Sequence, residues 1–208
     1  IDTAKVAVTA EDQKAAYDEI QVYENENVPV IPMFYIPSWI VTSDHLDTAG
    51  NAAGNDQFCY EKNILDWVID REDKTMYTNT GAINALEHPA VNPGLFWHQE
   101  IVFDRLLNAS TSLTPTDGLL AESYEVSDDG LTISFTLRDG IKWHDGEDFT
   151  AEDVKWTFEY YITVPGANSV LTDVINDAKE ITVDGNTVTF TFNNPQPNAL
   201  TVFAQWPV

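Results

Sequence analysis

The sequence predicts a mixed α/β fold, and three observations lead there. Apolar residues recur at helical spacing through residues 10–27. Strict two-residue alternation runs through residues 131–138. Two turns, Asp128-Asp129-Gly130 and Asp184-Gly185-Asn186, each separate a pair of β-rich runs. Apolar residues make up 43% and aromatic residues 12% of the 208 residues, enough for a packed core and unlike a disordered composition.

Taken in order, the first element is an amphipathic helix over residues 10–27. Thr9 is its N-cap, Glu11 and Asp12 occupy the first turn, and Ala16, Ile20 and Tyr23 form its packing stripe. Asn27 and Pro29 stop it. Residues 28–41 are dense in β-formers but interrupted by Pro32 and Pro37, which predicts an irregular or edge strand. Residues 44–57 read as loop, residues 74–80 as a strand, and residues 96–107 as a helix. Beyond Glu122 the pattern sharpens. Leu131, Ile133, Phe135 and Leu137 alternate with Thr132, Ser134, Thr136 and Arg138, the mark of a half-buried strand behind the Asp128-Asp129-Gly130 turn. Thr150 opens a second helix, with Asp153 at the capping-box position and Val154, Phe158 and Tyr161 as its buried stripe. Residues 181–183 and 188–192 flank a second hairpin turn.

Charge narrows the function classes. The chain holds 34 acidic and 10 basic residues, net −24, a surface that repels phosphate backbones and anionic lipid. Nucleic acid is therefore excluded as a partner, and the acid excess reads first as a solvated coat that favours solubility at high concentration or high salt. Cys59 is the single cysteine, so an internal disulfide and a four-cysteine metal site are both excluded. No run of 18 apolar residues occurs. Ile1 is an unusual first residue for a translated chain and predicts a processed or excised product.

Catalytic signatures are sparse. The sequence has no phosphate-binding glycine loop, no dinucleotide fingerprint, no HExxH and no Gly-x-Ser-x-Gly elbow, and its carboxylates are too numerous for any pair to stand out. No metal or cofactor is implied. Trp143-His144-Asp145-Gly146 has two readings: an acid–base pair for a hydrolase, or a tight turn with Trp143 packed beneath it. The glycine and the lack of a neighbouring nucleophile favour the turn. Met33, Phe34, Tyr35 and Trp39 offer ring surface with polar tips, suited either to a ligand pocket or to core. Phe96-Trp97-His98, after Asn92-Pro93-Gly94, leaves the same two readings open.

Four motifs in one order carry a family resemblance. Leu120-Ala121-Glu122-Ser123 leads into Tyr124-Glu125-Val126-Ser127-Asp128-Asp129-Gly130. Phe135-Thr136-Leu137-Arg138-Asp139-Gly140, Trp143-His144-Asp145-Gly146 and Thr150-Ala151-Glu152-Asp153-Val154 follow. Together they resemble the family 5 extracellular solute-binding proteins, the oligopeptide-, dipeptide- and nickel-type receptors of ABC importers. Residues 187–204 resemble the strand and proline-leading segment that come next in that family. Residues 82–107 resemble its amino-terminal region, although Glu87-His88 stands where the family has Asp-Pro. Residues 10–67, with Glu26-Asn27-Val28-Pro29-Val30-Ile31-Pro32 and a closing tryptophan, resemble its carboxy-terminal segment, here placed ahead of the amino-terminal one.

The resemblance implies a partial lobe I of a periplasmic-binding-protein-like fold with the family's extra β-rich subdomain. Residues 1–107 would form the lobe core, from a carboxy-terminal-like part (1–70) and an amino-terminal-like part (71–107). Residues 108–208 would form the β-rich subdomain with one main helix. The expected activity is non-catalytic binding of a small solute, an oligopeptide first, with an oligosaccharide receptor of the same family or a His144/Asp145 hydrolase as alternatives. Implied partners are a missing second lobe and the membrane subunits of an ABC importer. The implied location is extracellular or periplasmic, with a lipid anchor in the parent protein. The resemblance places Tyr35, the segment over residues 93–97 and a loop near residues 167–171 on the solute-facing wall, and the candidate solute-facing residues are Tyr35, Trp39, Asn92, Phe96, Trp97 and Asn168.

Overall fold

Helix formation starts where a threonine oxygen closes a turn. In the computed structural model, which describes residues 7, 9–29, 31, 33, 43–49, 66–76, 89–91, 102–109 and 115–208, helix α1 spans Ala10–Asn27. The Thr9 hydroxyl oxygen accepts the Asp12 backbone N–H at 3.1 Å, as the sequence predicts. The helix ends at Val28, which turns left-handed (φ 43°) and donates its N–H to the Glu24 carbonyl at 2.7 Å before Pro29. Its expected packing stripe is only partly realised. Ala16 is buried and Ile20 half-buried, but Tyr23 is 63% exposed. With polar and charged residues on nearly every side, α1 offers its neighbours little beyond one alanine.

Strands β1 (Leu46–Asp47) and β2 (Val68–Ile69) pair antiparallel. The strand expected over residues 74–80 is absent in its described part. Residues 71–73 bend and turn, Lys74 takes a left-handed φ of 50°, and Thr75 and Met76 are irregular. The rest of that run, and nearly all of residues 28–41, lie outside the described residues.

The helix expected over residues 96–107 does not reach its predicted end. Its described part has one helical residue, Val102, and then opens out. The carbonyls of Asp104, Arg105 and Leu106, which a helix would offer to the next turn, instead accept N–H groups from Val208 (2.9 Å), Leu120 (3.0 Å) and Leu119 (2.9 Å). Leu106 and Leu107 are both fully buried, and β3 (Leu107–Ala109) pairs with β4 (Pro115–Gly118). Tertiary contacts override the helical pattern here.

The remaining elements form one layered unit. Strands β5 (Ala121–Val126) and β6 (Thr132–Leu137), helices α2 (Ala151–Tyr161) and α3 (Ser169–Asp177), strands β7 (Ala178–Asp184) and β8 (Thr187–Phe192), and helix α4 (Ala199–Gln205) follow in order. The sheet order is β5-β6-β8-β7, antiparallel throughout. Two expected turns close its hairpins, with Gly130 at φ 67° and Gly185 at φ 56°, backbone that a side chain would strain. Helix α2 carries the predicted capping box: Thr150 and Asp153 each accept the other's backbone N–H.

Alternation then sorts the sheet into two faces. Ile133, Phe135 and Leu137 of β6 and Val188, Phe190 and Phe192 of β8 point into the core. Their neighbours Thr132, Ser134, Thr136, Thr187, Thr189 and Thr191 make a hydroxyl-lined outer face, where Ser134 and Thr189 meet across the strands at 2.9 Å. Phe135, Phe190, Phe158 of α2 and Phe203 of α4 interlock, the first and last 4.7 Å apart by ring centroids and Phe158 and Phe203 5.1 Å apart, both edge-to-face. This aromatic junction holds the two helices on one face of the sheet. Tyr161 closes the same region from the end of α2. Its buried hydroxyl donates to the Pro207 carbonyl at 2.9 Å, and burial pushes its ionisation above the ordinary tyrosine range.

Candidate functional site

Asn168 occupies the joint between a chain crossing and a helix start. Its side-chain oxygen accepts the Val170 N–H at 2.9 Å and so caps α3, because asparagine before an apolar helical run satisfies a donor the helix cannot. Its backbone N–H reaches across the molecule to the carbonyl of Ala90 at 2.8 Å. Ala90 has no exposed surface and belongs to the same core as Leu171, Val174 and Ile175 of α3. The stretch Pro89–Val91, which leads in sequence to Asn92, is thereby fastened to the start of α3. The bond thus ties the described residues just before Asn92 to Asn168.

The expected loop near residues 167–171 is a loop only as far as Asn168; Ser169 already begins α3. Of the six assigned residues, Asn168 is the one whose position is described. Tyr35, Trp39, Asn92, Phe96 and Trp97 lie outside the described residues. Ala90, whose carbonyl fastens Asn168, is a residue that sequence reasoning passes over. Its small side chain is fully buried in the core.

The far end of α3 is fastened as well. The Asp177 carboxylate accepts the Asn194 backbone N–H at 2.9 Å and the Asn194 side-chain amide at 2.8 Å, while the Asp177 carbonyl accepts the Asn193 backbone N–H at 3.0 Å and its side-chain amide at 2.9 Å. Partial burial raises the carboxyl's proton affinity. The hydrogen bonds from Asn194, Gln196 and Asn193 outweigh that effect and hold it below the usual carboxylate range.

The Trp143-His144-Asp145-Gly146 stretch is a turn in the structure. Gly146 takes φ 92° and returns its N–H to the Trp143 carbonyl at 2.9 Å. Trp143 packs edge-to-face on Phe149 with centroids 5.1 Å apart. Asp145 turns a carboxylate oxygen to the Glu147 N–H at 3.0 Å. A carboxylate held by its own turn is poorly placed to orient the exposed His144 as a base. Among the described residues no group of three His, Cys, Asp or Glu side chains is arranged to hold a metal ion, and no helix is long and apolar enough to cross a membrane. On the outer stripe of α2, Trp156 is 63% exposed and stacks on Tyr160, with centroids 4.9 Å apart and planes 7° from parallel.

Comparison with known proteins places the sheet unit. Residues 116–208 match the family described as bacterial extracellular solute-binding proteins, family 5 Middle. The chain is 33% identical over 114 residues to a protein named dipeptide-binding protein of Escherichia coli (strain K12), covering 46% of this chain and 21% of that one. It is 31% identical over 110 residues to the oligopeptide-binding protein OppA of Bacillus subtilis (strain 168), covering 46% and 20%. It is 41% identical over 64 residues to heme-binding protein A of Haemophilus influenzae (strain ATCC 51907 / DSM 11121 / KW20 / Rd), covering 28% and 12%. Among solved structures, NikZ of Campylobacter jejuni in complex with Ni(L-His) aligns at a TM-score of 0.47 with 29% identity over 61% of this chain and 25% of that one, too loose a superposition to carry residue positions across. The chain spans about a fifth of the length of the curated dipeptide- and oligopeptide-binding relatives. Residues 116–208, with their antiparallel sheet and capped helices, are similar to family 5 of the bacterial extracellular solute-binding proteins.

Proposed function

We propose that this chain carries one wall of the solute cleft of an ABC-importer receptor, binds its solute without chemistry, and takes a peptide. The observation that carries the reading is the family match over residues 116–208, reinforced by relatives named for dipeptide and oligopeptide binding. In this reading Tyr35, Trp39, Asn92, Phe96, Trp97 and Asn168 face the solute, and an extended peptide gains affinity from backbone pairing and shaped polar contacts. Residues 1–107 serve as the lobe core and residues 108–208 as its β-rich subdomain. The carboxy-terminal-like segment precedes the amino-terminal-like one because strands that pair in a sheet tolerate reconnection through nearby ends. The second lobe supplies the charged anchors, the membrane subunits receive the closed form, and the parent protein works outside the cytoplasmic membrane on a lipid anchor.

A second reading, an oligosaccharide receptor, draws on the exposed Trp156–Tyr160 pair. Calorimetry of the purified chain against di- and oligopeptides and against oligosaccharides separates the two. Without its second lobe the chain should bind peptide weakly, in the millimolar range of about −4 kcal/mol. Asn168→Asp keeps the cap oxygen but removes the amide donor, so it should weaken that binding while leaving the melting temperature nearly unchanged. Oligosaccharide binding that Trp156→Ala abolishes, with no response to peptides, would overturn the peptide reading.

A further inference from the structure

The acid excess of this chain leaves the carboxy-terminal ends of its described helices without cations. None of the four helices among the described residues has a basic residue in its last turn, where the exposed carbonyls form the negative pole and a cation would stabilise. Helix α1 goes further. Its first-turn Glu11 and Asp12 suit the positive pole, but beyond them it carries Asp18, Glu19, Glu24 and Glu26 against Lys14, and places Glu24 and Glu26 in that last turn. Lys14 is itself engaged by Asp18. Little tertiary packing offsets this repulsion, because Ala16 is the one buried residue among the described side chains of α1, while Tyr17, Val22 and Tyr23 are exposed. A helix of 18 residues is only a little longer than the roughly 12–15 below which an isolated helix is marginal in water, and so small a buried face adds little packing to hold it. Its end is also strained, since Val28 takes the left-handed conformation that glycine usually supplies.

We propose that the fold contains an ionic-strength switch, with α1 as its moving part: the helix is complete at molar salt and unravels from its Glu24–Val28 end at low salt. Screening has the right reach for this. The Debye length is about 10 Å at 0.1 M, longer than the separation of neighbouring turns, and about 3 Å at 1 M, shorter than it. The sheet unit depends less on salt, because the aromatic junction of Phe135, Phe158, Phe190 and Phe203 holds it. A chain with 10 cations for 34 carboxylates cannot neutralise itself by internal ion pairs, so mobile counterions must do so.

The test is far-ultraviolet circular dichroism of the whole chain, with thermal scans, in sodium, potassium and tetramethylammonium chloride from about 0.05 to 2 M, a span that shortens the Debye length several-fold. The expected result is a helical signal that rises with salt equally in all three chlorides. The melting temperature should also rise by roughly 10 °C. Glu24→Gln/Glu26→Gln should raise the low-salt helical signal and flatten its salt dependence, and Glu24→Lys/Glu26→Lys should do so more strongly. A wild-type signal independent of salt would overturn the proposal. So would a response to one cation alone, which marks a specific site, or salt slopes unchanged in both double variants.

Discussion

Asp177 shows how one side chain can hold two elements and report on pH. Its carboxylate accepts two hydrogen bonds from Asn194, which pins the Pro195–Pro197 connection to the end of α3. Because those bonds outweigh desolvation, its folded-state proton affinity lies below the unfolded value. The sign follows from linkage: the stabilisation is fully present above the ordinary carboxylate range and is lost as pH falls through the depressed folded value. Many other carboxylates titrate nearby, so the informative quantity is the difference between wild type and Asp177→Asn. That variant should cost about 1 kcal/mol at pH 7 by losing an acceptor of a charge-assisted bond. The gap between the two urea midpoints should close as pH drops below about 4, near the unperturbed carboxylate value. A gap that stays constant down to acid would mean the carboxylate's charge contributes nothing. Asn168 works by similar means at the other end of α3, where its oxygen is engaged as a cap.

At the scale of elements, the features legible in the sequence are those set by neighbours along the chain. The Thr9 and Thr150 caps, the alternation of β6 and the glycine turns at Gly130 and Gly185 all depend on residues within a few positions of one another. Helices α3 and α4 were not legible, for different reasons. Helix α3 is rich in β-branched residues (Val170, Thr172, Val174, Ile175), whose intrinsic preference opposes a helix, and it forms because Leu171, Val174 and Ile175 share a buried face. Helix α4 has seven residues and no side-chain cap, and burial of Ala199, Val202, Phe203 and Ala204 holds it. The candidate site was less legible still, since the bond from Asn168 to Ala90 spans 78 positions and leaves no periodic trace. The β4–β5 junction makes the same point and yields a prediction. A methyl carbon placed on Gly118 would lie 2.0 Å from the Ala121 carbonyl oxygen, which belongs to rigid backbone. Gly118→Ala should therefore destabilise by about 1–3 kcal/mol, the usual cost of forcing an extra methylene into a packed site. An unchanged thermal midpoint would show that the junction relaxes freely.

For the whole molecule, the family match begins at residue 116, but the packing begins earlier. Leu106 and Leu107 are fully buried in the same cluster as Phe135, Phe203 and Trp206, and β3 packs against α4 while pairing with β4. Arg105 bridges Pro207, and the Asp104 carbonyl accepts the Val208 N–H, so the two ends of this unit are sewn together. Removing residues 102–115 would open the cavities of two leucines, each worth about 2–5 kcal/mol, and would expose the edge of β4. That loss is comparable to the whole stability of an ordinary domain, about 5–15 kcal/mol. A piece comprising residues 102–208 should consequently unfold cooperatively in urea, with coincident circular-dichroism and tryptophan-fluorescence transitions. A piece comprising residues 116–208 should show a broad, non-coincident transition or none. Measuring both at about 2 M salt removes charge repulsion as a confounding cause. If the shorter piece unfolds as sharply and at the same urea concentration as the longer one, the Leu106–Leu107 layer is dispensable and the physical unit coincides with the family boundary.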